Sequence, residues 1–204
     1  MSILLTDPFL QDRLKAERNR SGADRYDEVW EGVTMMTPLP DNEHRQMVAR
    51  FTAAFEEVID WPGLGEVFPG TNLTDRETDW QFDYRIPDVA VLLKSGKARN
   101  LGTYCRGAAD FLVEITSSDE RVREKLPFYS RLGVRELLVV DRSSWTLELY
   151  RWQEGALRLA GQSTVEASQV LLSQVVPLQF EQVDASPRPR IEVRHVESGR
   201  KWVI

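Results

Sequence analysis

Apolar residues recur along this 204-residue chain with two distinct periods, and the change between them divides it into elements. Met47, Val48, Phe51, Ala54, Phe55 and Val58 return every three or four positions, which places them on one face of a helix predicted over residues 42–59. Trp61-Pro62-Gly63 stops it. An earlier helix is predicted over residues 8–19, with Asp7 as N-cap, Pro8 in the first helical position and Ser21-Gly22 as its end. Between the two helices, residues 26–36 read as two short strands folded about Glu31-Gly32.

After a polar loop over residues 71–83 the pattern becomes continuously apolar. Residues 86–93, 111–115 and 137–140 are short β-branched runs, as expected of central strands covered on both faces. A helix over residues 119–132, ended by Gly133, joins the last two, so they should form a parallel pair. Residues 145–152 alternate apolar and polar, and Glu154-Gly155 turns that strand back toward residues 157–160. The expected fold is α/β: a mixed central sheet of five or six strands flanked by helices, preceded by an N-terminal helix and hairpin. Residues 1–185 are expected to form one domain, with a helical and hairpin part over 1–60 and a core over 61–160. Residues 186–204, rich in Pro and charge, are expected to be a poorly packed extension.

Composition narrows the chemistry. A single cysteine, Cys105, forms no internal disulfide, and with only His44 and His195 beside it no thiolate-rich zinc site can be assembled. No apolar run approaches the ~20 residues that span a bilayer, and the N-terminus lacks a basic segment followed by a long apolar one. The expectation is a cytoplasmic protein without a membrane segment. The net charge of −6 argues at first against a polyanionic partner. It is unevenly spread, however: residues 81–142 hold 11 basic and 9 acidic side chains, whereas residues 1–80 hold 8 and 16.

The informative charges lie inside segments that read as buried. Glu114 interrupts the apolar strand Phe111–Ile115, and Asp88 stands at the head of another, just after Pro87. Buried carboxylates are paired, hydrogen-bonded or bound to metal, because an unpaired one is costly. Each alone is explained by a strand-end acid satisfied by a backbone N–H or an arginine. A third charge shifts the balance. On a wheel of ~100° per residue, Lys125 falls on the same arc as Val122, Leu126, Tyr129 and Leu132, while Arg123, Glu124 and Arg131 point away. A lysine there can snorkel out along its stem, but an ammonium aimed at two carboxylates accounts for all three charges together. Two acids from adjacent strands suit a hard divalent cation such as Mg²⁺, and a lysine can orient water or stabilise developing negative charge. That set points to phosphodiester hydrolysis.

The ordered string Ile86-Pro87-Asp88-Val89, Phe111-Leu112-Val113-Glu114-Ile115, Arg123-Glu124-Lys125, Tyr129, Gly133-Val134 and Leu138-Val139-Val140-Asp141 resembles the Uma-type family. That family belongs to the restriction-endonuclease-like proteins of the PD-(D/E)XK nuclease superfamily. Tyr26-Asp27-Glu28-Val29-Trp30-Glu31-Gly32 and His44 fit its N-terminal pattern. The resemblance implies a metal-dependent DNA endonuclease with Mg²⁺ or Mn²⁺ held by Asp88, Glu114 and the Ile115 backbone carbonyl, and with Asp88, Glu114 and Lys125 as catalytic residues. The superfamily's usual lysine position is occupied here by Thr116, so Lys125 takes that role from the following helix. Glu31 and His44 are additional candidates, each with a bland alternative: a turn glutamate and a helix-start histidine. DNA is the expected partner, and a homodimer is a further expectation. The competing functions are a catalytically silent nuclease-like binding or regulatory module, and an accessory subunit active only in a complex. Ser117-Ser118-Asp119 reads as a helix N-cap, Cys105 as a spare thiol, and Trp30 and Trp80 as possible groove aromatics.

Overall fold

The computed structural model describes residues 8–116 and 121–204, with only the backbone of Pro8 and Arg121. The Asp7 and Ser117–Asp119 caps lie outside the described residues. Helix α1 runs Pro8–Ser21. A hairpin of β1 (Glu28–Trp30) and β2 (Val33–Met35) follows, then α2 (Asn42–Phe55), whose last turn widens into a π-type turn over Glu56–Asp60. Next come β3 (Gly65–Pro69), β4 (Leu73–Thr74), β5 (Val89–Leu93), β6 (Arg99–Asn100), β7 (Cys105–Arg106) and β8 (Phe111–Thr116). Helix α3 (Arg121–Leu132) leads to β9 (Glu136–Asp141), β10 (Thr146–Gln153) and β11 (Ala156–Ser163). The chain ends with β12 (Leu171–Leu172), β13 (Leu178–Val183), β14 (Arg190–His195) and β15 (Lys201–Val203).

The central sheet has six strands in the order β11-β10-β9-β8-β5-β3. β8 and β9 are parallel, as expected of a strand–helix–strand crossover, and the other neighbours are antiparallel. Alternation along the central strands assigns each face. Val89, Val91, Phe111, Val113 and Ile115 enter a core shared with Met47, Phe51 and Phe55 of α2. Ala90, Leu92 and Leu112 enter a second core with Phe128, Tyr129 and Leu132 of α3. By the same period of two, Asp88 and Glu114 belong to the α3 face. Both predicted tight turns are present: Glu31 and Gly32, like Glu154 and Gly155, have positive φ (50° and 86°; 50° and 87°). Two successive left-handed residues match the twist of a hairpin.

The C-terminal segment departs from expectation. Residues 186–204 are not a loose extension: β14 and β15 complete a four-stranded antiparallel sheet in the order β12-β13-β14-β15. Ile191, Val193 and Ile204 are fully buried and join Phe180 and Leu178 in the α2-side core. The charged residues that suggested solvent exposure are the outward half of an alternating strand, Arg190, Glu192 and Arg194. The polar loop 71–83 also carries structure, since β4 pairs with β7 in a small three-stranded sheet. Among the described residues no helix is long and apolar enough to cross a membrane.

Candidate active site

Val89 pairs with Val113 across β5 and β8, so one further step places Asp88 opposite Glu114 at the sheet's end. Pro87 precedes Asp88 and fixes an extended entry into β5. The Asp88 carboxylate accepts the Ile115 backbone N–H at 2.7 Å through Oδ2, and its Oδ1 lies 2.8 Å from His44 Nε2. Asp41 caps α2 by accepting the His44 backbone N–H at 2.8 Å, which fixes the turn carrying that imidazole. Burial works to lower the His44 pKa, but the hydrogen bond and charge of Asp88 outweigh it and the net shift is upward.

Glu114 is 3% exposed. Lys125 Nζ donates to its Oε1 at 3.0 Å and Oε2 at 3.2 Å, and Tyr129 Oη donates to Oε1 at 2.5 Å. Lys125 and Tyr129 are one turn apart on α3 and both face the sheet, as the helical period requires. The ammonium also lies 2.8 Å from Glu28 Oε1, so it bridges two buried carboxylates. Glu28 is fixed in turn by the Ile86 N–H at 2.8 Å and Trp30 Nε1–H at 2.8 Å. Burial pushes the Glu114 carboxyl up to about 7; Lys125 opposes the shift, while Asp88 and Glu28 add to it. Burial disfavours the Lys125 ammonium, yet Glu114 and Glu28 together raise its pKa above the ordinary 10.5. Burial and the same carboxylates raise Tyr129 well above 10, keeping it a hydrogen-bond donor.

The three charges read from the sequence, Asp88, Glu114 and Lys125, are therefore brought together. Glu31 is not among them. It occupies the exposed tip of the β1–β2 turn, and its backbone N–H is bonded to Asp83 at 3.1 Å. The N-terminal acid at the cluster is Glu28, in the strand proper, where alternation gives it the same side as Trp30. The sequence carries half of that signal: alternation aims a strand residue and not a turn residue, but packing against α3 decides which side of the hairpin meets the cluster. Arg85 secures the hairpin above α3. Its guanidinium is sandwiched between Trp30 (4.3 Å) and Phe128 (4.2 Å) and donates to the Val29 carbonyl at 3.0 Å. Ile115 and Thr116 both line the site, whereas Trp80 stacks elsewhere on Tyr104 at 5.0 Å. Cys105 is buried in the small sheet, and burial raises its thiol pKa.

A cavity of about 750 Å³ opens beside the cluster and is lined by Glu28, His44, Asp88, Glu114 and Lys125. Arg142 borders it too, 9% exposed and paired with Asp41 (3.0 Å) and Glu43 (3.2 Å). Among the described residues no group of three or more His, Cys, Asp and Glu is already arranged as a metal cage. The donor chemistry nevertheless fits a hard divalent cation. Two buried carboxylates share one ammonium, and a third, Asp88, faces Glu114 from the neighbouring strand on the cavity wall.

The chain matches the Uma2 family, described as "Putative restriction endonuclease", over residues 12–186. Its fold is similar to a crystal structure described as "a putative nuclease belonging to DUF820" from Anabaena variabilis ATCC 29413. The TM-score is 0.53 at 19% identity, covering 65% of this chain and 75% of that one. No curated protein matches the sequence.

Proposed function

The chain belongs to the Uma2 family, and from that premise and the geometry of the cluster we propose that it hydrolyses phosphodiester bonds in DNA with a divalent cation, Mg²⁺ or Mn²⁺. The observation that carries the reading is Lys125 bridging buried Glu28 and Glu114 at the strand end where Asp88 faces Glu114. Ion pairs of that kind are expensive to bury and are poor stabilisers, so their concentration beside an open cavity favours a functional site. Asp88, Glu114 and the Ile115 carbonyl would hold the cation, which when bound polarises the phosphoryl oxygen and acidifies water.

The chain's own groups supply the remainder. Lys125, flanked by two carboxylates, is held as the ammonium and serves as a donor toward negative charge developing on the phosphate rather than as a base. Tyr129 fixes one oxygen of Glu114, and the Ile115 N–H fixes one oxygen of Asp88, so both carboxylates are oriented before substrate arrives. His44 holds the other Asp88 oxygen and stands at the cavity wall, where it can accept or return a proton.

Supercoiled plasmid, single-stranded DNA and branched DNA incubated with Mg²⁺, Mn²⁺ or EDTA test the reading. Metal-dependent cleavage by the wild type, absent in Asp88→Ala and Lys125→Ala, is expected. Cleavage that survives in both variants would remove the site from the mechanism. Calorimetric Mn²⁺ binding lost in Asp88→Ala tests the cation separately from turnover.

A further inference from the structure

The cavity extends well beyond the carboxylates, and most of its wall is uncharged. Helix α2 presents two working faces. Met47, Phe51, Ala54 and Phe55 enter the core, whereas His44, Arg45, Val48, Ala49, Thr52 and Ala53 line the cavity. Only the first two of that second set are ionisable; His44 ends on Asp88, and Arg45 donates to the Pro40 carbonyl. Met35, Pro38 and Leu39, from the hairpin's exit, line the cavity as well, with Leu39 59% exposed.

Arg142 supplies an independent observation. Its side chain is 9% exposed and its two terminal nitrogens are held by Asp41 and Glu43. The buried Nε has no hydrogen-bond partner among the described residues. A buried N–H without an acceptor is costly, and a small shift of this side chain at the cavity's border that exposes Nε to an anionic oxygen would relieve it.

A continuous duplex is poorly served by this surface. Duplex affinity comes largely from neutralising a run of phosphates with cations. Here the cavity offers Arg45 and Arg142 besides Lys125, against Glu28, Asp41, Glu56, Asp88 and Glu114. An apolar slot instead gains affinity by taking a base out of water, and a single strand delivers one without breaking a pair. Resting on the nuclease reading above, we propose that the apolar arm of the cavity receives an unpaired nucleobase while Arg142 takes a phosphate oxygen of the same strand. Single-stranded or unpaired DNA, rather than continuous duplex, is then the substrate.

Fluorescence anisotropy in EDTA tests this without turnover, using a labelled strand of about 12 nucleotides and the same strand annealed to its complement. The single strand should bind at least about tenfold tighter, within the range that one stacked base supplies. Ala49→Trp fills the slot from an exposed helix position, and an unchanged Tm shows that the fold is kept. It should cost the single strand about tenfold and leave the duplex unaffected. Equal or tighter duplex binding, indifference to Ala49→Trp, or no binding of either probe would each overturn the proposal. The two readings fail differently. With Mg²⁺ or Mn²⁺, cleavage of relaxed duplex as fast as single strand removes the base subsite and keeps the nuclease. Cleavage of no nucleic acid removes the nuclease itself.

Discussion

Replacing Lys125 by methionine keeps most of the side-chain volume and removes one charge, leaving Glu28 and Glu114 buried together without their common partner. The ammonium is 2.8 Å from Glu28 and 3.0 Å from Glu114, whose side chains are 6% and 4% exposed. Breaking a buried pair by deleting one member costs about 3–5 kcal/mol. For a chain of this length each kcal/mol moves Tm by roughly 2–4 °C, so a fall of roughly 6–20 °C is expected near neutral pH. The loss must depend on pH. Glu114 already sits at about 7 against an ordinary 4.5, raised by burial and held back by Lys125. Without Lys125 its pKa climbs further. A folded pKa above the unfolded one means that the native state keeps a proton the unfolded chain has released, so stability falls as pH rises across that window. Thermal unfolding followed by circular dichroism should therefore show a small deficit for Lys125→Met near about pH 5 and the full deficit near about pH 9. An equal deficit at both pH values, or one under about 1 kcal/mol throughout, would refute the reasoning.

Tyr129→Phe removes a fully buried hydroxyl bonded to Glu114 and should cost about 1.5–3 kcal/mol in urea denaturation; a change below about 0.5 kcal/mol would show that the bond adds little. Asp88→Asn should move the His44 pKa from above 6.5 to below it, because burial, aided by the Arg142 charge, then has only the weaker pull of Asp41 against it; NMR titration of the chain's two histidines reads this directly. In the wild type the stabilising share of the His44–Asp88 contact is full below pH 6.5 and is lost as pH rises through the raised value. Ile204→Ala should cost about 2–5 kcal/mol although it lies at the chain's end, since Ile204 is fully buried and pairs both ways with Ile191. A near-neutral result would return the C-terminal residues to the status of an extension.

Legibility tracked the range of the forces involved. The buried strands, the parallel crossover and both tight hairpins follow from periods of two and 3.6 and from local turn chemistry, which short windows of sequence contain. Lys125 was legible for the same reason: a helical wheel gives its direction, and α3 must lie against the strand before it. The acid completing the cluster was harder. Glu28 and Glu31 are three residues apart in one hairpin, and the strand's alternation and the Arg85 sandwich decide which of them points inward. Residues 186–204 read as an extension because Arg190, Glu192 and Arg194 mask the alternating Ile191 and Val193, whose burial depends on a sheet assembled from residues 171–204. The sequence by itself determined the three helices, the N-terminal hairpin, the strands β5 and β8–β11 of the central sheet, and which charges are anomalous. Only the tertiary structure decided that Asp88 and Glu114 meet across β5 and β8, that Glu28 joins them, and that a largely uncharged cavity adjoins them. Those are matters of register and packing between distant segments, and local periodicity carries no information about either.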